Sequence, residues 1–190
     1  EALDWLENGQ ISFSFHQQHF NDIGLDGIKI NDVKELCHLA LREYLKKRGI
    51  SLSTAKGLCR EVHYSLRDRM YFAIGLQNDS HGWELRNKYV KNSSSPKDMT
   101  YINYGKRRLI VTEGMFDMLS LLERDKGLRD QNDLLILNSL AFVEKIPGLF
   151  DKAGKRAVEI SLEQSPKCRD MSYVYKDFKD VNAWWMSKKL

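Results

Sequence analysis

Residues 109–112, Leu-Ile-Val-Thr, make an apolar run of strand length that passes without a linker into Glu113-Gly114 and then into the helical spacing of residues 115–124. No other feature constrains the fold as much. A short, continuously apolar strand followed at once by a helix belongs in a sheet covered by helices. The alternation continues, with strands expected at 134–137 and 172–175 and helices at 153–164 and 181–189. The second half of the chain is therefore expected to be α/β, built on a parallel sheet.

The first half has a different texture. Residues 9–27 mix Ser, Gln, His, Asn and Phe without a sustained period and read as a linker or an arm packed on a neighbour. A helix is expected next, capped by Asn31 or Asp32, carrying Val33, Leu36, Cys37, Ala40, Leu41, Tyr44 and Leu45 at helical spacing, and stopped by Gly49. Lys46, Lys47 and Arg48 fall in its last turn, where cations complement the helix dipole. Between 61 and 90 the residues alternate as strands, Val62, Tyr64 and Leu66 first and the run 70–76 next, which predicts an antiparallel meander. The expected organisation is a small mixed α+β basic lobe over 31–100 and a second lobe over 101–190, with the boundary near 102–106.

A chain of 190 residues with 42% hydrophobic content can bury its own core. The three cysteines, Cys37, Cys59 and Cys168, are far apart and odd in number, so they suggest neither a disulfide framework nor a zinc ribbon. That usage fits a cytoplasmic protein. No apolar run approaches the ~20 residues of a membrane span. The chain opens on Glu1, and residues 1–6 already read as helix, which suggests a piece of a longer protein whose N-terminal part is absent.

In an open α/β sheet, ligands bind beyond the carboxyl ends of the strands, so Glu113 is expected to face that crevice. Gly114 is expected to permit a sharp turn there, and Asp117 to share the crevice from the first helical turn. The plainer reading is that acidic residues commonly begin helices. Arg86, Lys88, Lys91, Lys97, Lys106, Arg107 and Arg108 crowd one region that has Asp98 as its opposing charge. Cations at that density suit phosphate contacts, and they equally suit a solvated basic face. Tyr89 and Trp83 offer aromatic faces for bases, although strand alternation sends at least one of them to the core. His16-Gln17-Gln18-His19 lacks a third metal ligand nearby and reads as structural. Trp184-Trp185-Met186 reads as helix packing, with one Trp exposed.

Four stretches, in order, resemble the toprim fold in the form found in bacterial DNA primases. They are Val111-Thr112-Glu113-Gly114-Met115-Phe116-Asp117, Leu134-Leu135-Ile136-Leu137 ending in Asn138-Ser139, Asp151-Lys152-Ala153-Gly154-Lys155, and Lys179-Asp180-Val181-Asn182. Upstream, Tyr71-Phe72-Ala73-Ile74-Gly75, Trp83-Glu84-Leu85-Arg86-Asn87 and Lys91-Asn92-Ser93-Ser94-Ser95-Pro96-Lys97-Asp98 resemble primase-like proteins of mobilizable elements in Bacteroides-type bacteria. In those proteins a zinc-binding ribbon precedes this region. Ala2-Leu3-Asp4-Trp5-Leu6 with Phe13-Ser14-Phe15-His16 looks like its trailing edge, so 1–30 is expected as linker and zinc only in a ribbon absent from this chain.

The resemblance implies a toprim-type parallel sheet lobe over 101–190 and a nucleotidyltransferase that makes RNA primers on single-stranded DNA during replication of a plasmid or other mobile element. Glu113, Asp117 and Asp151 would be the catalytic and metal residues, holding Mg²⁺ or Mn²⁺. Arg86, Lys88, Lys91 and Lys97 would meet template or nucleotide phosphate, Arg86 and Lys97 foremost. The implied partners are a single-stranded DNA template, ribonucleotides, and a replicative helicase or relaxase, with no membrane. The rival readings are a non-catalytic toprim module that binds nucleic acid and a toprim nuclease or topoisomerase-like enzyme. One departure stands out: toprim proteins carry an Asp-x-Asp pair at the end of a third strand, and here Asp151 matches only its second member. A crossover takes a dozen or more residues, so 138–150 is too short for a crossover and that strand together. Residues are therefore expected to be missing between Leu149 and Lys152, with a Cα separation there well above the ~3.8 Å of a trans peptide. A true shortening would remove a metal ligand. His81 also stands where relatives have glycine.

Overall fold

The computed structural model describes residues 11–13, 27–145 and 168–189. Its elements follow the order β1 (Ile11–Phe13), β2 (Lys29–Lys34), α1 (Leu39–Lys47), α2 (Leu52–Lys56), β3 (Arg60–Leu66), β4 (Arg69–Gln77), β5 (Trp83–Arg86), β6 (Lys91–Ser93), β7 (Thr100–Ile102), β8 (Arg108–Thr112), α3 (Met115–Arg124), α4 (Leu128–Gln131), β9 (Asn132–Ile136), β10 (Cys168–Asp170) and α5 (Val181–Ser187). They form a mixed α/β protein with one antiparallel and one mixed sheet.

The antiparallel sheet is the expected meander, in strand order β2-β3-β4-β5-β6. Its central strand β4 is apolar along most of its length because both faces are covered. Phe72, Ile74 and Leu76 meet the main core, while Tyr71 and Ala73 join Val62, Tyr64, Trp83 and Leu85 on the other side. Gly75 sits where a Cβ would press on Val62 and Trp83. The turn before β5 is built on Asn78, whose Oδ1 accepts from the Ser80 and Gly82 N–H groups. His81 there has φ +67°, a left-handed conformation that favours glycine.

The first expected helix needs correction. Residues 29–34 form strand β2, paired antiparallel with β3, and the helix begins only at Leu39. Neither Asn31 nor Asp32 caps it; His38 does, its Nδ1 accepting from the Ala40 N–H. The reason is tertiary. Glu61 on β3, buried to 1% exposure, accepts from the N–H groups of Cys37 (3.0 Å) and His38 (2.7 Å) and so fixes where strand gives way to helix. Gly49 does stop α1, at φ +67°. Its N–H donates to Lys46 and that of Ile50 to Leu45, a Schellman closure.

The mixed sheet has the order β10-β1-β8-β9-β7. The pairs β10/β1, β1/β8 and β8/β9 are parallel, and β7 runs antiparallel on β9. Ile11–Phe13, expected as linker, is thus a strand. Residues 172–175, expected as a strand, form a 3-10 turn, and the strand lies just before it at Cys168–Asp170. Two adjacent apolar side chains serve the turn instead: Val174 and Tyr175 pack with Val181 and Trp184 of α5. The expected helices at 1–6 and 153–164, the His16 to His19 stretch, Asp151 and the expected break between Leu149 and Lys152 lie outside the described residues.

One hydrophobic cluster joins Leu41, Leu45 and Ile50, the β4 residues Ile74 and Leu76, and Met115, Met118, Leu119, Leu134 and Ile136. Residues from both sides of the expected boundary near 102–106 therefore share a core. Polar ties follow the same seam. Glu123 of α3 accepts from the Ser51 N–H (3.0 Å) and hydroxyl (2.7 Å) at the start of α2. Trp185 and Lys189 both donate to the Gly49 carbonyl. Trp184 is buried and Trp185 half-buried, so neither is the exposed Trp expected from sequence. Among the described residues no helix is long and apolar enough to cross a membrane.

Candidate functional site

The parallel pair β8/β9 sets the geometry. Thr112 aligns with Ile136 at the strand ends. The next peptides stay joined, the Leu137 N–H donating to Thr112 and the Asn138 N–H to Glu113, both at 2.9 Å. Glu113 and Asn138 are thus neighbours at the carboxyl edge of the sheet. Gly114 caps α3 with an extended backbone, φ −131° and ψ 161°. That corrects the expectation of a glycine-only turn, since a Cβ at Gly114 would make an ordinary 3.4 Å contact with Asp117 Oδ2. The same contact shows that the Asp117 carboxylate curls back over the start of α3.

Asp117 is the most perturbed acid of the site. Burial, then the charges of Asp180 and Glu113, push its carboxyl up to about 7, against the lowering influence of the Asn182 N–H and of Arg48. Asp180 caps α5, its Oδ1 accepting from the Ala183 N–H at 2.7 Å. Asn182 ties this end of α5 down by donating to the Arg48 carbonyl and to Ser120 Oγ, both at 2.8 Å. The Arg48 guanidinium lies 4.7 Å from the Phe116 ring centroid, and its Nε is buried without a hydrogen-bond partner.

Of the acids expected from sequence, Glu113 and Asp117 come together, and Asp151 is outside the described residues. Asp180 takes a place in the cluster that the sequence reading did not give it, although Lys179-Asp180-Val181-Asn182 was one of the stretches carrying the resemblance. Arg48, read as a last-turn cation, faces the cluster as well. Among the described residues no three His, Cys, Asp or Glu side chains are grouped as tightly as a metal ion requires. The donor chemistry nonetheless suits Mg²⁺, a hard cation that keeps several waters and is commonly held by one or two carboxylates.

The expected nucleic-acid residues divide. Arg86 is turned inward: it pairs with Glu84 at 3.1 Å and donates to the Leu85 and Asn92 carbonyls at 3.0 Å. Lys91 is its cross-strand partner on β6 and is exposed, as is Lys88 in the intervening turn; Lys97 is half-buried. Tyr89 is 83% exposed, with Lys88 Nζ 5.2 Å from its ring centroid. Trp83 is buried in the second cluster, so of the two aromatic candidates Tyr89 alone presents an open ring.

A family model described as a domain of unknown function, DUF8464, matches residues 30–95. That stretch holds most of β2, helices α1 and α2, and strands β3 to β6. No curated protein and no solved structure matches the chain.

Proposed function

We propose that this protein is a DNA primase-like nucleotidyltransferase with a toprim-type site, making RNA primers on single-stranded DNA. The observation that carries the reading is the gathering of Glu113, Asp117 and Asp180 at the carboxyl edge of a parallel strand pair, with the Asp117 carboxyl raised to about 7. Like charges held close while partly buried cost free energy unless a cation joins them. Perturbed acids cluster at functional sites, and carboxylates that hold a divalent cation can serve phosphoryl transfer.

Glu113 and Asp117 would hold the Mg²⁺ or Mn²⁺. When bound, the ion supplies charge neutralisation for the phosphoryl group and lowers the pKa of an attacking hydroxyl. Arg48, beside Asp117, keeps the carboxylate partly ionised and limits its repulsion of Glu113. Lys88, Lys91 and Tyr89 form a basic, aromatic edge on the β5/β6 turn, suited to backbone phosphate and base stacking.

The test is ribonucleotide incorporation on single-stranded DNA with Mg²⁺ or Mn²⁺, comparing wild type with Glu113→Gln. Template-dependent synthesis by wild type, reduced at least a hundredfold in the variant, is the expected result. Cleavage of the DNA without synthesis would move the reading to a toprim nuclease, and binding with neither activity would move it to a non-catalytic module.

A further inference from the structure

The β3–β4 hairpin closes on Arg67 and Asp68, between the paired residues Leu66 and Arg69. Both turn residues have positive φ, +48° and +62°, the pattern of a type I′ turn, which favours Asn-Gly or Asp-Gly. Neither position holds its favoured residue. Arginine has neither the bare Cα of glycine nor the short polar side chain that lets Asn bond its local backbone in the left-handed region. Asp68 stands where the turn favours glycine. Backbone strain of this kind clusters at functional sites.

The register shows what lies beside this turn. Lys29, at the start of β2, pairs with Ser65, and Ser65 with Met70. On the other side, β5 runs antiparallel to β4 with Arg86 level with Ile74. The turn after β5 therefore returns toward the start of β4, where Asn87 Nδ2 donates to the Phe72 carbonyl at 2.9 Å. The same side chain shapes that turn, its Oδ1 accepting from the Tyr89 and Val90 N–H groups. One end of the antiparallel sheet thus gathers the start of β2, the β3–β4 hairpin and the β5–β6 turn. At 4.7–4.9 Å between neighbouring strands, that end is about 19 Å wide. Lys29, Arg67, Arg69, Lys88 and Lys91 are exposed on it, with Asp68 opposing them at the tip and Asp32 farther along β2, 3.8 Å from Lys34. Met70 is 68% exposed and Tyr89 83%.

We propose that this end of the sheet is one continuous surface for single-stranded nucleic acid, and that Arg67 occupies its strained turn position to meet a phosphate there. This deepens the reading above and rests on the β5–β6 turn contacting single-stranded DNA. Guanidinium groups take phosphate oxygens in pairs and stack on planar rings. The open Tyr89 ring and the exposed Met70 offer unstacked bases the apolar contact that an acidic protein surface would not need. Strand alternation sends Arg69 and Met70 to opposite faces of β4, so a chain laid across the tips, rather than along either face, reaches both.

The double substitution Arg67→Asn with Asp68→Gly tests the proposal in the whole chain, because it supplies the pair the turn favours and leaves the net charge of +4 unchanged. Thermal unfolding and fluorescence anisotropy with a labelled single-stranded oligodeoxynucleotide, over a range of salt, are the measurements. The expected variant melts roughly 2–6 °C higher, yet binds DNA more weakly, with the log–log salt slope reduced by about 0.7 for one lost phosphate contact. A variant that melts higher with affinity and slope unchanged shows an ordinary turn and overturns the proposal. Poly-glutamate at matched charge displacing the DNA as well as unlabelled oligonucleotide does would mean that the surface reads charge alone, as on an acidic protein, and overturns it too. Lys88→Gln with Lys91→Gln separates the two levels. If that variant loses affinity while the hairpin variant does not, only the hairpin assignment fails; if wild type binds no single-stranded DNA, the reading of the β5–β6 turn fails and the proposal with it.

Discussion

Removing the charge of Asp117 should make the metal-free protein more stable, by an amount that grows with pH. A carboxyl moved from its ordinary 3.8 to about 7 in the folded chain costs on the order of 4 kcal/mol to ionise there, at about 1.36 kcal/mol per pH unit. Its folded midpoint is above its unfolded one. The native state therefore keeps the proton longer, and wild-type stability is full below about pH 4 and is lost as pH rises through about 7. Asn cannot ionise, and its Oδ1 still accepts from the Asn182 N–H. The difference between Asp117→Asn and wild type should thus be small at pH 4 and climb to between about 2 and 4 kcal/mol at pH 8, the lower figure allowing for local relaxation and water. Urea unfolding at half-unit steps from pH 4 to 8.5, in the presence of a chelator, measures it. Saturating Mn²⁺ should then restore wild type and leave the variant unmoved. A pH-independent difference, or a variant less stable than wild type at pH 8, would refute the electrostatic reasoning.

Two further outcomes follow from groups elsewhere. Glu61→Gln should destabilise the protein by about 3 kcal/mol. Burial raises that carboxyl, but the Cys37 N–H, His63, the His38 N–H and Lys34 outweigh it and hold it at about 2; this contribution, present above about pH 4.5, is lost as pH falls through about 2, and acid unfolding curves would show it as a missing transition in the variant. On the basic edge, Lys88→Gln with Lys91→Gln should weaken single-stranded DNA binding and flatten its salt dependence by about 1.4 in log–log slope, two released counterions at about 0.7 each. Arg86→Gln should instead lower the melting temperature, because Glu84 loses its guanidinium partner, with the salt slope unchanged; a flattened slope there would return Arg86 to the phosphate-binding set.

What was legible in the sequence is what local pattern controls. The meander followed from alternation, and the β8–Glu113–α3 junction from an apolar strand running into a helix, with α3 beginning and ending where its spacing predicts. What was hidden depends on distant partners. Residues 33–45 carry a genuine helical period, yet the first part of that stretch is a strand because β3 offers hydrogen bonds and Glu61, 23 residues beyond His38, takes the N–H groups that start the helix. Arg86 and Lys88 look alike in sequence. The pleat turns one toward Glu84, and the turn exposes the other.

The carboxylate cluster shows the same division at the level of the site. Glu113 and Asp117 are four residues apart, so one strand–helix junction suffices to bring them together. Arg48 and Asp180 join them only because α1 ends against α3 and α5 returns to both. The joint is secured by Asn182, which donates across 134 residues of sequence to the Arg48 carbonyl and across 62 to Ser120. The Gly49 carbonyl, receiving Trp185 Nε1 and Lys189 Nζ, holds the same two helices together one residue on. The groups that set the Asp117 charge are therefore carried by the packing of α1, α3 and α5. Loosening α5 would remove Asp180 and the Asn182 N–H from Asp117 together, one raising its pKa and the other lowering it, so the acidity of the site is tied to the integrity of that three-helix joint.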